Sequence, residues 1–139
     1  MSKIIINASN LKGGGALQVA ITFIEGLKEF KKNKYHVFLP PILFKSIDFE
    51  NFSNNIVFYK VINPPVISFL GWGLKELSNL EKNIQPDCVF SFFGPTYWIP
   101  KSWHIMGFAQ GLYLYSDLPY IKKSSNSVIV RKFVRENSP

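Results

Sequence analysis

The chain contains 139 residues, of which 47% are apolar and 18% are charged, a composition typical of one ordered globular domain. Its net charge of +7 favours a polyanionic partner, such as a phosphorylated ligand or an anionic lipid surface, or else a solvated basic face. No apolar stretch approaches the ~20 residues that a membrane-spanning helix needs, so we do not expect an integral membrane protein.

The apolar pattern alternates between strands and helices along the chain. Apolar, β-branched runs predict five strands, at 3–8, 35–39, 56–59, 88–92 and 103–108. Helical spacing predicts two long helices, at 14–31 and 68–83, a short helix near 42–46 and a basic helix in the second half of 120–136. Strands joined by helices indicate an α/β fold, a Rossmann-like parallel sheet with right-handed crossovers and helices on both faces.

The first long helix has two faces. Its predicted solvent face carries Gln18, Thr22, Glu25 and Glu29, and its predicted core face carries Leu17, Ala20, Ile21, Ile24 and Leu27. We expect a single domain over 1–139 that is incomplete at its C-terminus, because a helix near 120–136 should lead into a further strand.

Two features bear on the cellular location. Only three consecutive isoleucines follow Lys3, too few for the apolar region of a signal peptide. The single cysteine, Cys88, has no partner for an intramolecular disulfide, which fits a reducing compartment. We therefore expect a cytoplasmic protein, and the apolar run after Asp87 predicts that Cys88 is a buried core thiol.

Three glycines, Gly13, Gly14 and Gly15, stand between the first strand and the first helix. The N–H groups of a first helical turn have no partners inside the helix, and the helix dipole adds partial positive charge there. A strand, a glycine turn and a helix thus form a geometry that binds anions, and we predict that this turn binds a phosphate or an acceptor group. Asn10 and Lys12 lie in the same loop, either as further ligand contacts or as ordinary turn residues.

The best-known phosphate turns do not fit these glycines. A P-loop needs a Lys-Ser/Thr pair after its last glycine, whereas Lys12 precedes Gly13 here. A dinucleotide fingerprint needs a third glycine, where this chain has Gln18, and an acidic residue at the end of the second strand, where it has Pro40-Pro41. Both families are therefore disfavoured.

Three segments, taken in order, resemble a known family. They are the glycine turn with its flanks (7–20), the sequence Pro-Asp-Cys-Val-Phe-Ser (86–91) and the sequence Trp-His-Ile-Met-Gly-Phe-Ala-Gln-Gly (103–111). Together they resemble the N-terminal domain of family-4-type (group 1) bacterial glycosyltransferases, enzymes of GT-B fold in polysaccharide biosynthesis. Gln110 matches a polar residue, often His, that contacts sugar or phosphate in that family; a loop-stabilising amide is the alternative.

The resemblance implies a two-domain enzyme that transfers a sugar from a nucleotide sugar to a polysaccharide or lipid-linked acceptor. Its N-terminal domain mostly binds the acceptor. The C-terminal nucleotide-sugar domain, with its glutamate-containing donor motif, is absent from these 139 residues. We therefore expect no catalytic residue in this chain, no transferase activity from it alone, and no metal or other cofactor.

Aromatic and basic residues complete the candidate list. Phe93, Tyr97 and Trp98 follow the fourth strand and either form a platform for a sugar face or acceptor, or cap the core. Two basic clusters predict either a solvated face or peripheral contact with the inner face of the plasma membrane: Lys28, Lys31, Lys32 and Lys34, and then Lys122, Lys123, Arg131, Lys132 and Arg135.

Other functions stay open. The domain could instead be a non-catalytic module that binds a nucleotide or phosphate, or part of a GT-B-fold epimerase. Nucleic acid is not expected as a partner, because no recognition helix or base-stacking motif is present. His36 and His104 lie within predicted strands, so we interpret both as structural residues. Together with Cys88 they show no metal-ligand spacing.

Overall fold

A computed structural model describes residues 1–62, 72–93, 96 and 98–107, with the side chains of 72–74 excepted. Five strands are present: β1 (Lys3–Asn7), β2 (Lys34–Leu39), β3 (Ile56–Lys60), β4 (Cys88–Ser91) and β5 (Trp103–Met106). The helices are α1 (Gly15–Gly26), α2 (Pro41–Phe44) and α3 (Trp72–Ile84), with single 3-10 turns at Leu27–Glu29 and Phe49–Asn51. The predicted helix within 120–136, the second basic cluster, Tyr97 and Gln110 lie outside the described residues.

All five strands are parallel, in the order β3-β2-β1-β4-β5. The chain moves from β1 outward to β3, then returns past β1 to form β4 and β5 on the other side. The direction of strand addition therefore reverses between β1 and β4. The predicted α/β, Rossmann-like fold is confirmed, and the reversal defines the crevice where open parallel sheets bind ligands.

Two hydrophobic cores cover the two faces of the sheet, because alternate side chains of a strand point to opposite faces. On one face, Ala20 and Ile24 of α1, together with Leu27 of the 3-10 turn that follows it, pack against Ile6, Val37 and Leu39. On the other face, α3 packs Leu77 and Ile84 against Ile5, Phe38 and Val89. The predicted core face of α1 is confirmed, and its four predicted solvent residues are all exposed.

The first helix is shorter than the spacing predicts. It begins at Gly15 and gives way to a 3-10 turn after Gly26, so the predicted end at Lys31 is wrong. Glycine has the lowest helix propensity after proline, and Gly26 stands where regular α-helical hydrogen bonding stops. The strand predictions agree with the observed bounds to within one or two residues.

Cys88 is half-buried, which corrects the prediction of a buried core thiol. It starts β4 and pairs in register with Trp103 of β5. Trp103 is 84% exposed, so this corner of the sheet lies at the margin of the α1-side core. An apolar run thus identified the strand correctly but not the depth of its first residue.

Candidate functional site

The glycine turn lies at the reversal point of the sheet. It follows β1, and β1 is paired with β4 from Ile4 opposite Cys88 to Asn7 opposite Ser91. The loops that leave these two strands are therefore neighbours at the carboxyl edge. The side-chain amide of Asn10 joins them, because its Nδ2 donates to the carbonyl oxygen of Phe93 at 3.0 Å.

The turn exposes its backbone. Gly13, Gly14 and Gly15 are all exposed, and a Cβ built on any of them meets no atom within 4 Å. No side chain caps the N-terminus of α1, and no acidic residue occupies its first turn. The Leu17 N–H bonds the Gly14 carbonyl oxygen at 3.1 Å, whereas the N–H groups of Gly15 and Ala16 have no hydrogen-bond partner among the described residues. These two N–H groups provide the arrangement that anion binding requires.

Gly14 has φ 69° and ψ −157°, a region that only glycine populates readily. Replacing Gly14 by alanine should lower the free energy of unfolding by about 1–3 kcal/mol, because the added Cβ strains the backbone even though space is free. Gly13→Ala is the matched control, since no positive φ restricts it, and should stay within about 0.5 kcal/mol of the parent. Urea denaturation followed by circular dichroism measures both, and equal losses would contradict this account of Gly14.

The two other loop candidates differ in what they can offer a ligand. Asn10 uses its amide nitrogen to hold the β4 loop, while its Oδ1 is buried and finds no partner among the described residues. Lys12 is exposed beside Gly13, so its ammonium group can reach an anion held by the turn. The structure thus gives Asn10 a structural role and leaves Lys12 as an exposed cationic side chain beside the turn.

The described aromatic candidates are separated. Phe93 has φ 42°, an unusual value for a bulky residue, and packs at the edge of the α1-side core. Trp98 is 3% exposed and packs into the α3-side core, with its ring 6.2 Å from that of Phe38. Trp98 therefore caps the core, and it does not share a surface platform with Phe93.

A polar network, buried at Asn7, Ser9 and Ser91 and half-buried at His104, crosses β1, β4 and β5. Asn7 Oδ1 accepts from the Ser9 backbone N–H at 3.1 Å and from the Ser9 hydroxyl at 2.7 Å. Asn7 Nδ2 donates to Ser91 Oγ at 3.2 Å, and Ser91 Oγ lies 2.9 Å from His104 Nε2. Sequence reasoning missed this network; the available signal was a polar residue at the carboxyl end of both β1 and β4.

Burial lowers the pKa of His104 below its ordinary value of 6.5, and the negative charge of Glu81 opposes that shift. Burial, followed by the nearby charges of Lys34 and Lys3, lowers the pKa of His36 as well. His36 Nδ1 lies 2.9 Å from the Tyr59 hydroxyl, and burial raises the pKa of that hydroxyl. Both histidines are therefore held in their neutral forms at pH 7.

Glu81 is a second buried polar group that sequence reasoning missed. It is 6% exposed on α3, one turn from Leu77 and Ile84 on the core side of the helix. Its Oε1 accepts from the backbone N–H groups of Lys101 and Ser102, at 2.8 and 2.9 Å, and from the Ser102 hydroxyl at 2.9 Å. Glu81 therefore fixes the segment that enters β5.

An open groove of about 450 Å³ lies at the opposite, amino edge of the sheet. It is lined by Pro86, Asp87, Lys101, Ser102, Trp103 and His104. The Asp87 carboxylate is already engaged there, because its Oδ2 accepts from the backbone N–H of Lys3 at 2.8 Å. The groove does not join the glycine turn, which stands at the other end of the strands.

The first basic cluster is partly engaged within the protein. Lys28 pairs with Glu25, and its ammonium group lies 4.3 Å from the centre of the Phe52 ring. Lys31 and Lys32 are exposed, and Lys34 is half-buried at the start of β2. Lys31 and Lys32 are thus the members best placed to meet an anionic surface.

Among the described residues, no group of three or more His, Cys, Asp or Glu side chains is arranged to hold a metal ion. Over the same ranges, none of the helices is long and apolar enough to cross a bilayer. No protein-family model, curated protein or solved structure gives a significant match to the chain.

Proposed function

We propose that this chain is the acceptor-side domain of a nucleotide-sugar-dependent glycosyltransferase of polysaccharide biosynthesis. The single observation that carries the proposal is the exposed glycine turn, Gly13–Gly15, at the reversal point between β1 and β4. Uncapped N–H groups at that point suit a phosphate better than an uncharged ligand. The sequence resemblance around the turn selects a glycosyltransferase from the phosphate-handling α/β proteins.

The chemistry of transfer explains why such a turn would be useful. When the bond from the sugar to the nucleoside diphosphate breaks, negative charge grows on the leaving phosphate. Preorganised N–H groups stabilise that charge without having to reorient, and the nearby Lys12 adds a full positive charge. A second domain would carry the nucleotide sugar, so in this proposal Gly13–Gly15 forms one wall of a cleft. Gln110 remains a candidate contact to the sugar or phosphate, and Tyr97 remains a candidate contact to the acceptor.

Location follows from the acceptor. A lipid-linked acceptor would bring the enzyme to the inner face of the plasma membrane, and the exposed Lys31 and Lys32 would favour anionic headgroups. Each basic residue near such a surface contributes about 1 kcal/mol, so two give weak, salt-sensitive association. We propose a cytoplasmic protein with peripheral membrane contact.

The test is nucleoside diphosphate release by the complete gene product, with UDP-, GDP-, dTDP- and CMP-linked sugars as donors (release of CMP for the last). We expect turnover of one donor class that needs an acceptor, and no turnover by residues 1–139 alone. Lys12→Gln should lower kcat/KM about tenfold by removing a charge beside the leaving group. Lys82→Gln, an exposed lysine in the last turn of α3, is the matched control and should have no effect.

Two outcomes would count against the proposal. If no donor is turned over but UDP shifts the amide resonances of Gly13–Gly15 in a ¹⁵N-labelled sample, the domain is a non-catalytic nucleotide- or phosphate-binding module. If neither turnover nor amide shifts occur, the glycine turn is only a connection between β1 and α1.

A further inference from the structure

We propose that His104 is a positioning residue for the glycine turn. Its Nε2 accepts a hydrogen bond from the Ser91 hydroxyl, and Ser91 and Asn7 pass this restraint on to the loop that leads to the turn. The consequence for ligand affinity rests on the function proposed above. The proposal itself rests on the directions of the hydrogen bonds in the buried network that joins β5, β4 and β1.

The direction of each bond follows from one group that can only donate. The backbone N–H of Ser9 donates to Asn7 Oδ1, so the orientation of the Asn7 amide is determined. Its Nδ2 therefore faces Ser91 Oγ and donates to it. The Ser91 oxygen thus accepts a hydrogen bond from Asn7, and the Ser91 hydroxyl hydrogen still needs an acceptor of its own.

Ser91 is fully buried, so its hydroxyl hydrogen needs a protein acceptor. Among the described residues, the remaining polar atom at Ser91 Oγ is His104 Nε2, at 2.9 Å. Nε2 must then be unprotonated, and His104 carries its ring hydrogen on Nδ1. The hydrogen-bond network therefore assigns His104 to the tautomer that is protonated at Nδ1.

The other end of the network lies in the loop that leads to the glycine turn. Asn7 is the last residue of β1, and its Oδ1 binds both the N–H and the hydroxyl of Ser9. Ser9 stands four residues before Gly13 in the loop that leaves the strand. Protonation of His104 would place a hydrogen on Nε2, facing the Ser91 hydroxyl hydrogen, and would force the Ser91–Asn7–Ser9 chain to rearrange.

The charged groups around His104 permit such a change. Glu81 of α3 favours the protonated ring, while burial disfavours it. Asp87 and Lys101, which carry opposite charges, line the amino-edge groove together with His104. The effect of burial is the larger, so the pKa of His104 is lowered and the ring stays neutral at pH 7.

The experiment uses ¹⁵N-labelled residues 1–139. Long-range ¹H–¹⁵N correlation at pH 7.5 should show an unprotonated Nε2 and a protonated Nδ1 in His104. As the pH is lowered until His104 protonates, the amide resonances of Ser9 and Gly13–Gly15 should shift with the same midpoint as the His104 ring. An Nε2–H tautomer, or glycine amides that stay fixed while His104 titrates, would overturn the proposal.

Three variants separate positioning from general structure. His104→Gln should keep the turn resonances at pH 7.5, because its side-chain oxygen can accept the same hydroxyl proton, and should abolish their pH dependence. Ser91→Ala should shift the Ser9 amide at pH 7.5 and uncouple the turn from His104. His36→Gln is the matched control, because His36 bonds Tyr59 on β3, and should leave the coupling intact. If His104→Gln does not fold, the parent titration and Ser91→Ala still decide the question.

Sulfate tests the effect on binding, because its charge does not change over the pH range of the titration. The parent should bind sulfate about fivefold more weakly below the measured His104 midpoint than at pH 7.5, and His104→Gln should bind equally at both pH values. If sulfate binds at neither pH while the amide shifts remain coupled, the anion site of the proposed function is wrong and the positioning role of His104 stands.

Discussion

Replacing Phe38 by alanine should lower the free energy of unfolding by about 3–5 kcal/mol, the range found for large aromatic residues in cores. Phe38 is fully buried in β2, with its ring 5.4 Å from that of Tyr59 and 6.2 Å from that of Trp98. Truncation removes these contacts and leaves a cavity beneath α3, because a packed interior relaxes only partly. A domain of this size has about 5–15 kcal/mol to lose, so the variant should be severely destabilised.

Phe30→Ala is the matched control for Phe38→Ala. Phe30 lies just before β2 and is 61% exposed, so its loss should change stability by no more than about 0.5 kcal/mol. Phe38→Leu, which keeps most of the apolar volume, should cost about 1 kcal/mol. Urea denaturation at pH 7.5 measures all three, and similar midpoints for Phe38→Ala and Phe30→Ala would refute the assignment of Phe38 to the α3-side core.

The elements of this fold are predictable from sequence because they depend on local pattern. The isoleucines of β1, the apolar run of β2 before Pro40 and the stripe on α1 are set by neighbours within a few positions. The glycine turn was likewise predicted at the start of α1. The early end of α1 at Gly26 was missed because its apolar and polar residues keep helical spacing beyond that glycine.

The buried polar groups were not predictable in the same way, because they depend on strand order and register. Asn7 meets Ser91 only because β1 pairs with β4, and Ser91 meets His104 only because β5 adds beside β4. A polar residue in an apolar run signals that a partner exists but not which residue it is. Cys88 shows the same limit, since its exposure depends on what lies beside β5.

The pH dependence of stability follows from the two histidines. Each has a pKa that is lower in the folded protein than its ordinary value of 6.5. Just below pH 6.5 the unfolded chain therefore binds more protons than the folded protein does. The contribution of the two neutral histidines to stability is complete above pH 6.5 and is lost as the pH falls toward their lowered pKa values. The fold, and the network that we propose orients the glycine turn, should thus both weaken as the pH falls below 6.5.

Replacing Glu81 by alanine should lower the free energy of unfolding by about 2–4 kcal/mol. One buried carboxylate oxygen accepts three donors, two of them backbone N–H groups at Lys101 and Ser102. Removing it leaves those donors without their acceptor. A buried unpaired donor costs about 1–3 kcal/mol, and these donors, at the exposed Lys101 and the half-buried Ser102, should each cost less than that. The segment before β5 should loosen, and His104 with it, because β5 begins at Trp103.

Glu81→Gln distinguishes hydrogen bonding from charge. The glutamine oxygen can still accept the three donors, so we expect a loss of only about 1 kcal/mol. The lost negative charge, however, should lower the pKa of His104 further, because Glu81 is the group that raises it. Glu76→Ala, on the exposed side of the same helix, is the control and should alter neither quantity. A Glu81→Gln variant as unstable as Glu81→Ala, with the His104 titration unchanged, would show that Glu81 does not cap this segment in solution.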